Sequence, residues 1–406
     1  MADIRPFAAL RPPSSIAADV ASVPYDVIDS AEARELAAGN PRSFLHVTKP
    51  EIDLPADTNP YADAVYAKGK ENLDRFIAEG TLVRDASPHF YVYRQRMGDH
   101  VQTGVVAGAS VAEYDAGTIR KHELTRPTKE DDRTRHVLGL RAQTGPVFLT
   151  YPQNDGVDAI VARVCEGAPD VDFVAADGIG HTVWVVTDAA TNGAIEAAFA
   201  EIPTLYIADG HHRSAAASRV AATLNGEGVD GEHDHFLSVI FPDDQMLILD
   251  YNRVVTDLGG LDEAEFLDQV RVRFDVKESS EGKPTAPRTF RMLLGARWFE
   301  LYARIGTYPA NDPVESLDVS ILQNNLLGPI LGIDDPRRSD RIDFVGGIRG
   351  TEGLRKRADG GAAVAFALYP TSMAELMAIA DADEIMPPKS TWFEPKLRSG
   401  LIVRPI

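Results

Sequence analysis

A mixed α+β fold is what this sequence predicts, and three observations carry the prediction. Short runs of β-branched and aromatic residues alternate with stretches of helical spacing. The 406 residues suffice for two or three packed regions with sizeable cores. A hydrophobic content of 44% and a charged content of 25% are ordinary for a globular chain.

The elements follow in order. Residues 30–39 and 61–79 read as helices, the second with Tyr61, Val65, Tyr66, Leu73 and Phe76 on one face. His89 to Tyr93 and Val101 to Ala107 read as a hairpin turning at Gly98-Asp99-His100. Pro146 to Tyr151 and Val183 to Val186 are further strands. Leu205-Tyr206-Ile207-Ala208 is a buried strand that runs into an Asp-Gly turn, and an alanine-rich helix follows from His211 to about Leu224. Later strands are Phe236 to Phe241, Met246 to Asp250, Phe290 to Leu294, Trp298 to Ala303 and Val364 to Leu368. Helices are expected over 262–273, 316–327 and 371–380. Polar stretches at 225–235 and 278–288 read as exposed loops. These readings divide the chain into an N-terminal region 1–150, a middle region 151–260 and a C-terminal region 261–406.

Composition narrows the function. The formal net charge is -20, and a uniformly acidic surface repels nucleic acid and anionic lipid. An anionic ligand is therefore held only where cations are placed deliberately. No apolar stretch approaches the roughly 20 residues of a membrane span, and the first residues lack the pattern of a signal peptide. The single cysteine, Cys165, excludes an intramolecular disulfide and reads as a packing residue. A cytoplasmic protein is expected, and oligomeric state is not legible.

Three segments carry candidate chemistry. The first is the strand–Asp209-Gly210-His211-His212-Arg213–helix junction. A helix start offers unpaired N–H groups, Gly210 lets backbone approach a ligand, and Arg213 supplies a fork of donors for phosphate. Two adjacent histidines add donors whose charge changes near neutral pH. Asp209 as a plain helix cap is the structural alternative. On the functional reading the Arg213 guanidinium serves a ligand, so its removal is expected to leave the fold intact.

The second segment runs from Lys121-His122-Glu123 through Arg126 to His136. Between 120 and 141 there are seven Lys or Arg residues against four Asp or Glu, a local reversal in an acidic chain. His122 and Glu123 beside Arg126 suit a general base next to a phosphate clamp. Over 129–141 the bland reading is a solvated helix face, with Arg133 three residues after Glu130 and Arg135 four after Asp131. Pro127 argues against helix throughout 120–126.

The third segment is the tail Met386 to Gly400, whose prolines and glycine predict a rigid loop. Lys389, Ser390 and Thr391 in it are of the types that line phosphate sites, although an ordinary C-terminal strap is the simpler reading. No Gly-x-x-x-x-Gly-Lys-Ser/Thr loop and no Gly-x-Ser-x-Gly elbow occurs. His233 and His235 around Asp234 read as a solvated turn rather than a metal site.

Several of these stretches resemble motifs of a bacterial and archaeal family, the domain of unknown function 1015 family. They are Asn40 to Val47, Lys121-His122-Glu123 with Asp131-Asp132-Arg133, Thr144 to Phe148, Ala208 to Arg213, Tyr251 to Val255, Phe344 to Gly347 and Met386 to Gly400. The Asp-Gly-His-His-Arg box is also similar to that of free serine kinases, which have a ParB/sulfiredoxin-like fold. The resemblance implies a ParB/sulfiredoxin-like core at 151–260, elaborated by further α/β segments, and phosphorylation of L-serine or a similar small alcohol. It implies ATP, ADP or pyrophosphate as donor, Mg²⁺ as cofactor, and Asp209 as a catalytic or Mg²⁺-organising carboxylate. Gly210, His211, His212 and Arg213 would cradle phosphate, with Arg126 and Lys121 in support, and Glu123 would be the catalytic base, beside His122. The alternative is a non-catalytic ParB-like module that binds nucleotide or phosphate. A sulfiredoxin-like reductase is excluded, because its cysteine would stand where His211 does.

Overall fold

In a computed structural model, which describes residues 1–229 and 231–406, the chain forms two compact units. One comprises Met1–Met246 with Pro395–Ile406, the other Leu247–Glu394. Position 150 lies inside a strand of the first unit and position 260 inside the second unit. Both units mix helix and sheet, as the alternating sequence pattern predicts. Among the described residues no helix is long and apolar enough to cross a membrane.

The first unit is built on a nine-stranded sheet. Its strands in chain order are β1 Ile4–Arg5, β2 Phe90–Met97, β3 His100–Ser110, β4 Ile119–Arg120, β5 Val147–Tyr151, β6 Val171–Val174, β7 Gly180–Val186, β8 Leu205–Asp209 and β9 His235–Pro242. In space the order is β4-β8-β5-β9-β3-β2-β7-β6, with β1 beside β3. Val105, Ala107 and Ala109 alternate with their neighbours, as do Val147, Leu149 and Tyr151, and each set enters one shared apolar core. The helix Ala189–Ala200 packs into it through Ile195 and Phe199. Cys165 packs against the same core.

Two pairings fix the region of interest. β8 runs antiparallel to β5 and carries a bulge between Ile207 and Asp209, whereas β8 and β4 are parallel, with Leu205 opposite Ile119 and Tyr206 opposite Arg120. Parallel neighbours end on the same edge of a sheet, so the residues following β4 emerge beside those following β8.

Three helices flank this edge: α1 Asp63–Ala78, α2 Pro127–Leu140 and α3 His211–Gly226. α3 buries Ser214, Ala215, Ala216, Ala217, Val220 and Ala221, small side chains that let it lie close to its neighbours. Lys129, Asp131 and Arg135 of α2 are exposed, as a solvated face requires, but the ion pairs are not the expected ones. Arg133 pairs with buried Asp132, Arg135 with Asp63 of α1, and Asp131 and Glu130 with Arg219 of α3. Packing against α1 and α3 gives the charges tertiary partners, which displace the local pairs. The other expected solvated turn is also a packed feature: His233 is buried and its Nε2 lies 2.7 Å from Asn225 Oδ1. Asp230, within the expected 225–235 loop, lies outside the described residues.

The last residues of the chain are tied into the first unit. Ser399 bridges to Ser22 and Val403 to Leu10, Arg404 pairs with Gln143, and the Arg404 side chain is fully buried. The tail is thus partly regular, with strands at Trp392–Glu394 and Arg404–Pro405 on either side of the loop.

The second unit has a six-stranded antiparallel sheet, in the order β11-β13-β12-β15-β10-β14. Here β10 is Tyr251–Val255, β11 Phe274–Ser279, β12 Thr289–Leu294, β13 Arg297–Ala303, β14 Ile342–Gly346 and β15 Val364–Ala367. The expected helix at 316–327 is Asp318–Leu322 continued by a π turn, Gln323–Leu327. Two of the recurring motifs meet in this sheet, Tyr251 opposite Gly346 and Arg253 opposite Phe344. A Cβ on Gly346 would lie 2.7 Å from the Trp392 ring, and one on Gly347 2.6 Å from Asp250 Oδ1. That paired-glycine motif is a packing requirement. Lys389, Ser390 and Thr391 belong to this unit. Lys389 Nζ is 5.4 Å from the centre of the Tyr251 ring, and buried Ser390 donates to the Pro387 carbonyl at 2.6 Å.

Candidate active site

Strand β8 ends at Asp209, Gly210 turns the chain, and α3 starts at His211. Gly210 has φ +106°, a region that side-chain-bearing residues rarely enter. A Cβ there would stand 3.3 Å from Val147 Cα and 3.2 Å from Arg213 Cζ. Glycine is therefore demanded twice, by conformation and by space. No side chain caps the helix; the Arg213 and Ser214 N–H groups donate back to the Gly210 carbonyl, which leaves the His211 and His212 N–H groups at the helix start. Asp209 does not act as the cap.

Asp209 instead holds two cations. Its Oδ2 accepts from Lys396 Nζ at 3.0 Å and its Oδ1 lies 3.5 Å from Arg213 Nη2. Burial alone would push this carboxyl up, but Lys396 and then Arg213 outweigh it and hold it well below the usual carboxylate range. A carboxylate so readily ionised is a poor base and a good organiser of cations.

Arg213 does not project freely toward a ligand. Its side chain is 11% exposed, Nη1 donates to the Pro146 carbonyl, and Nη2 also reaches Asp26 Oδ2 at 3.5 Å. The guanidinium braces the box against the start of β5, so its loss removes contacts within the fold as well as a donor for a ligand. A small cavity of about 30 Å³ adjoins it, lined by Arg133, Tyr25, Thr144, Val147 and Phe236 among others. The Arg133 guanidinium stacks 3.9 Å from the centre of the Tyr25 ring.

The parallel pairing of β4 with β8 delivers the second segment. His122 is 2% exposed and His211 5%, and their rings meet edge to face with centres 4.4 Å apart. The His122 backbone N–H donates to His211 Nε2 at 3.4 Å, and the Arg126 N–H donates to His212 Nε2 at 3.1 Å. Burial pushes the His122 imidazole down to about 4, against the pull of Asp209 and a hydrogen bond to Ile207. Burial, reinforced by His122, also drives His211 well below the ordinary range, and burial lowers His212. Both box histidines are consequently neutral at neutral pH, contrary to the charge switching their sequence suggests. Glu123 is exposed at the rim, and its carboxylate comes within 4.8 Å of ligand nitrogens of His122 and His211. The Arg126 side chain is exposed, while Lys121 Nζ sits 3.7 Å from the centre of the Tyr114 ring.

One edge of the first unit thus gathers His122, Glu123, Asp209, Gly210, His211, His212 and Arg213. Lys396 and Asp26 join them without having been singled out. Lys396 lay in the tail, seven residues past Lys389, and nothing in its sequence context ranked it higher. Asp26 gave no signal at all.

The fold and site define an α+β protein with a glycine-opened helix start flanked by histidines and a cation-bound carboxylate. The chain belongs to the DUF1015 family, described as proteins of unknown function, whose family model matches residues 4–320. No curated protein matches it. Among solved structures it is similar to a free serine kinase in complex with AMP, at 15% identity and a TM-score of 0.36, covering 71% of this chain and 86% of that one. A conserved hypothetical protein from Pyrococcus furiosus matches at 14% identity and a TM-score of 0.37, covering 74% and 95%. SbnI from Staphylococcus aureus, with a C-terminal truncation, matches at 12% identity and a TM-score of 0.40, covering 74% and 87%.

Proposed function

We propose that this protein is a phosphotransferase with a small alcohol as acceptor, L-serine in the first place, forming O-phosphoserine from ATP, ADP or pyrophosphate. The observation that carries the reading is the convergence at the end of β8. An uncapped helix start opened by Gly210 stands beside an ionised Asp209 held by Lys396 and Arg213, with Glu123 on the adjoining segment. The same reading takes the box-bearing sheet as a ParB/sulfiredoxin-like core.

In this mechanism the donor's terminal phosphate lies on the N–H groups of His211 and His212. The neutral imidazoles donate hydrogen bonds without adding charge. As the alcohol oxygen bonds to phosphorus, Glu123 takes the hydroxyl proton, the bond to the bridging oxygen breaks, and ADP, AMP or phosphate departs. Arg126, exposed at the rim, offers a further cation to the departing group. Asp209 is the carboxylate at the box that would organise Mg²⁺, which neutralises polyphosphate charge when bound.

Phosphorus NMR tests it. Incubated with L-serine, Mg²⁺ and each donor in turn, the protein yields a new phosphomonoester resonance with at least one of them. Glu123→Gln slows turnover far more than it weakens donor binding. No product across L-serine, homoserine and threonine with all three donors overturns the reading. Donor binding measured by equilibrium dialysis in that case identifies the non-catalytic nucleotide- or phosphate-binding module instead.

A further inference from the structure

The pair of buried histidines has a second property that phosphate binding does not require. Among the described residues, His122 Nδ1 is buried and has no hydrogen-bond partner. Neither a side chain nor the backbone satisfies this nitrogen. A polar atom buried without a partner is costly and calls for an explanation. A bound cation would supply one, since imidazole nitrogen is a common metal ligand. Ligand atoms of His122, Glu123 and His211 all lie within 4.8 Å of one another.

We propose that His122, Glu123 and His211 form a binding site for one d-block divalent cation of the Zn²⁺, Co²⁺ or Mn²⁺ type. Two imidazoles and one carboxylate suit such ions, whereas Mg²⁺ prefers oxygen ligands and retains its waters. Tetrahedral ligation at about 2.1 Å sets neighbouring ligand atoms roughly 3.4 Å apart, so a pair at the full 4.8 Å closes by about 1.4 Å. Three protein ligands leave a fourth position open. Asp209, close enough to act on both rings, adds negative charge near the ion.

The inference stands on this geometry and not on the phosphotransfer reading. The two share Glu123, so its carboxylate does not hold the cation and act as the base at the same time.

The test uses the full-length protein stripped of metal, with no substrate present. Titration with Co²⁺, followed by its visible d–d absorption, saturates at about one equivalent per chain, and Zn²⁺ displaces it while a hundredfold excess of Mg²⁺ does not. His122→Gln and His211→Gln each weaken binding at least about tenfold. Glu123→Gln, at an exposed position, does so with unchanged melting behaviour, which covers the case of a histidine variant that fails to fold. His233→Asn, a buried histidine away from the cluster, serves as control and binds as the parent does. Absence of saturable binding overturns the proposal, and so does binding that survives Glu123→Gln and His122→Gln unchanged. Metal binding without O-phosphoserine formation would sink the kinase reading and leave this one standing, and the converse result would do the reverse.

Discussion

Gly210→Ala is the perturbation whose magnitude the structure defines best. Alanine at φ +106° lies beyond the left-handed helical well, where an L-residue already costs about 1–2 kcal/mol. The new methyl group would also meet Val147 Cα at 3.3 Å and the Arg213 guanidinium carbon at 3.2 Å. The first contact is backbone in a central strand and gives little, and the second belongs to a side chain pinned to the Pro146 carbonyl. Strain of this kind totals about 2–3 kcal/mol. In a unit of this size it lowers the melting temperature by roughly 5–10 °C, read by differential scanning fluorimetry and by the urea midpoint. Gly193→Ala is the matched control. It lies inside the helix Ala189–Ala200 with open space around it, and there alanine stabilises by about 0.5–1 kcal/mol. A Gly210→Ala protein as stable as the parent would refute the claim that the turn is enforced, and with it the rigid helix start on which the proposed phosphate site rests.

Two further outcomes follow from the same unit. Arg213→Ala leaves the Pro146 carbonyl without its donor and Asp209 with Lys396 alone, so stability falls by about 1–3 kcal/mol; Arg213→Lys recovers little, and an unchanged melting temperature would show that the guanidinium is no brace. Burial holds His122 and His136 at about 4 and His181 at about 3, below the ordinary 6.5. Their contribution is complete above that ordinary value and is lost as pH falls toward the folded values, by about 2 kcal/mol per histidine at roughly pH 5. Urea midpoints that stay flat between roughly pH 7 and 5 would contradict this burial.

What the sequence by itself determined is local. Alternation and helical spacing place the hairpin, the β8 strand and the α3 helix, because each is dictated by residues a few positions apart. The strand–Asp209-Gly210–helix junction was legible for the same reason: the sharp turn needs glycine, and glycine stands in the chain for anyone to see. Tertiary structure decided the rest. Glu123 reaches the box only because β4 pairs in parallel with β8, a choice of partner strand that no local pattern encodes. Lys396 reaches Asp209 because the chain returns to the first unit after Glu394. Arg135 of α2 found its partner on α1 and Asp131 its partner on α3, and burial neutralised histidines that composition alone would leave titrating near neutral pH. Pairing, charge partnership and desolvation depend on what lies nearby in space, and the fold, not the order of residues along the chain, sets that neighbourhood.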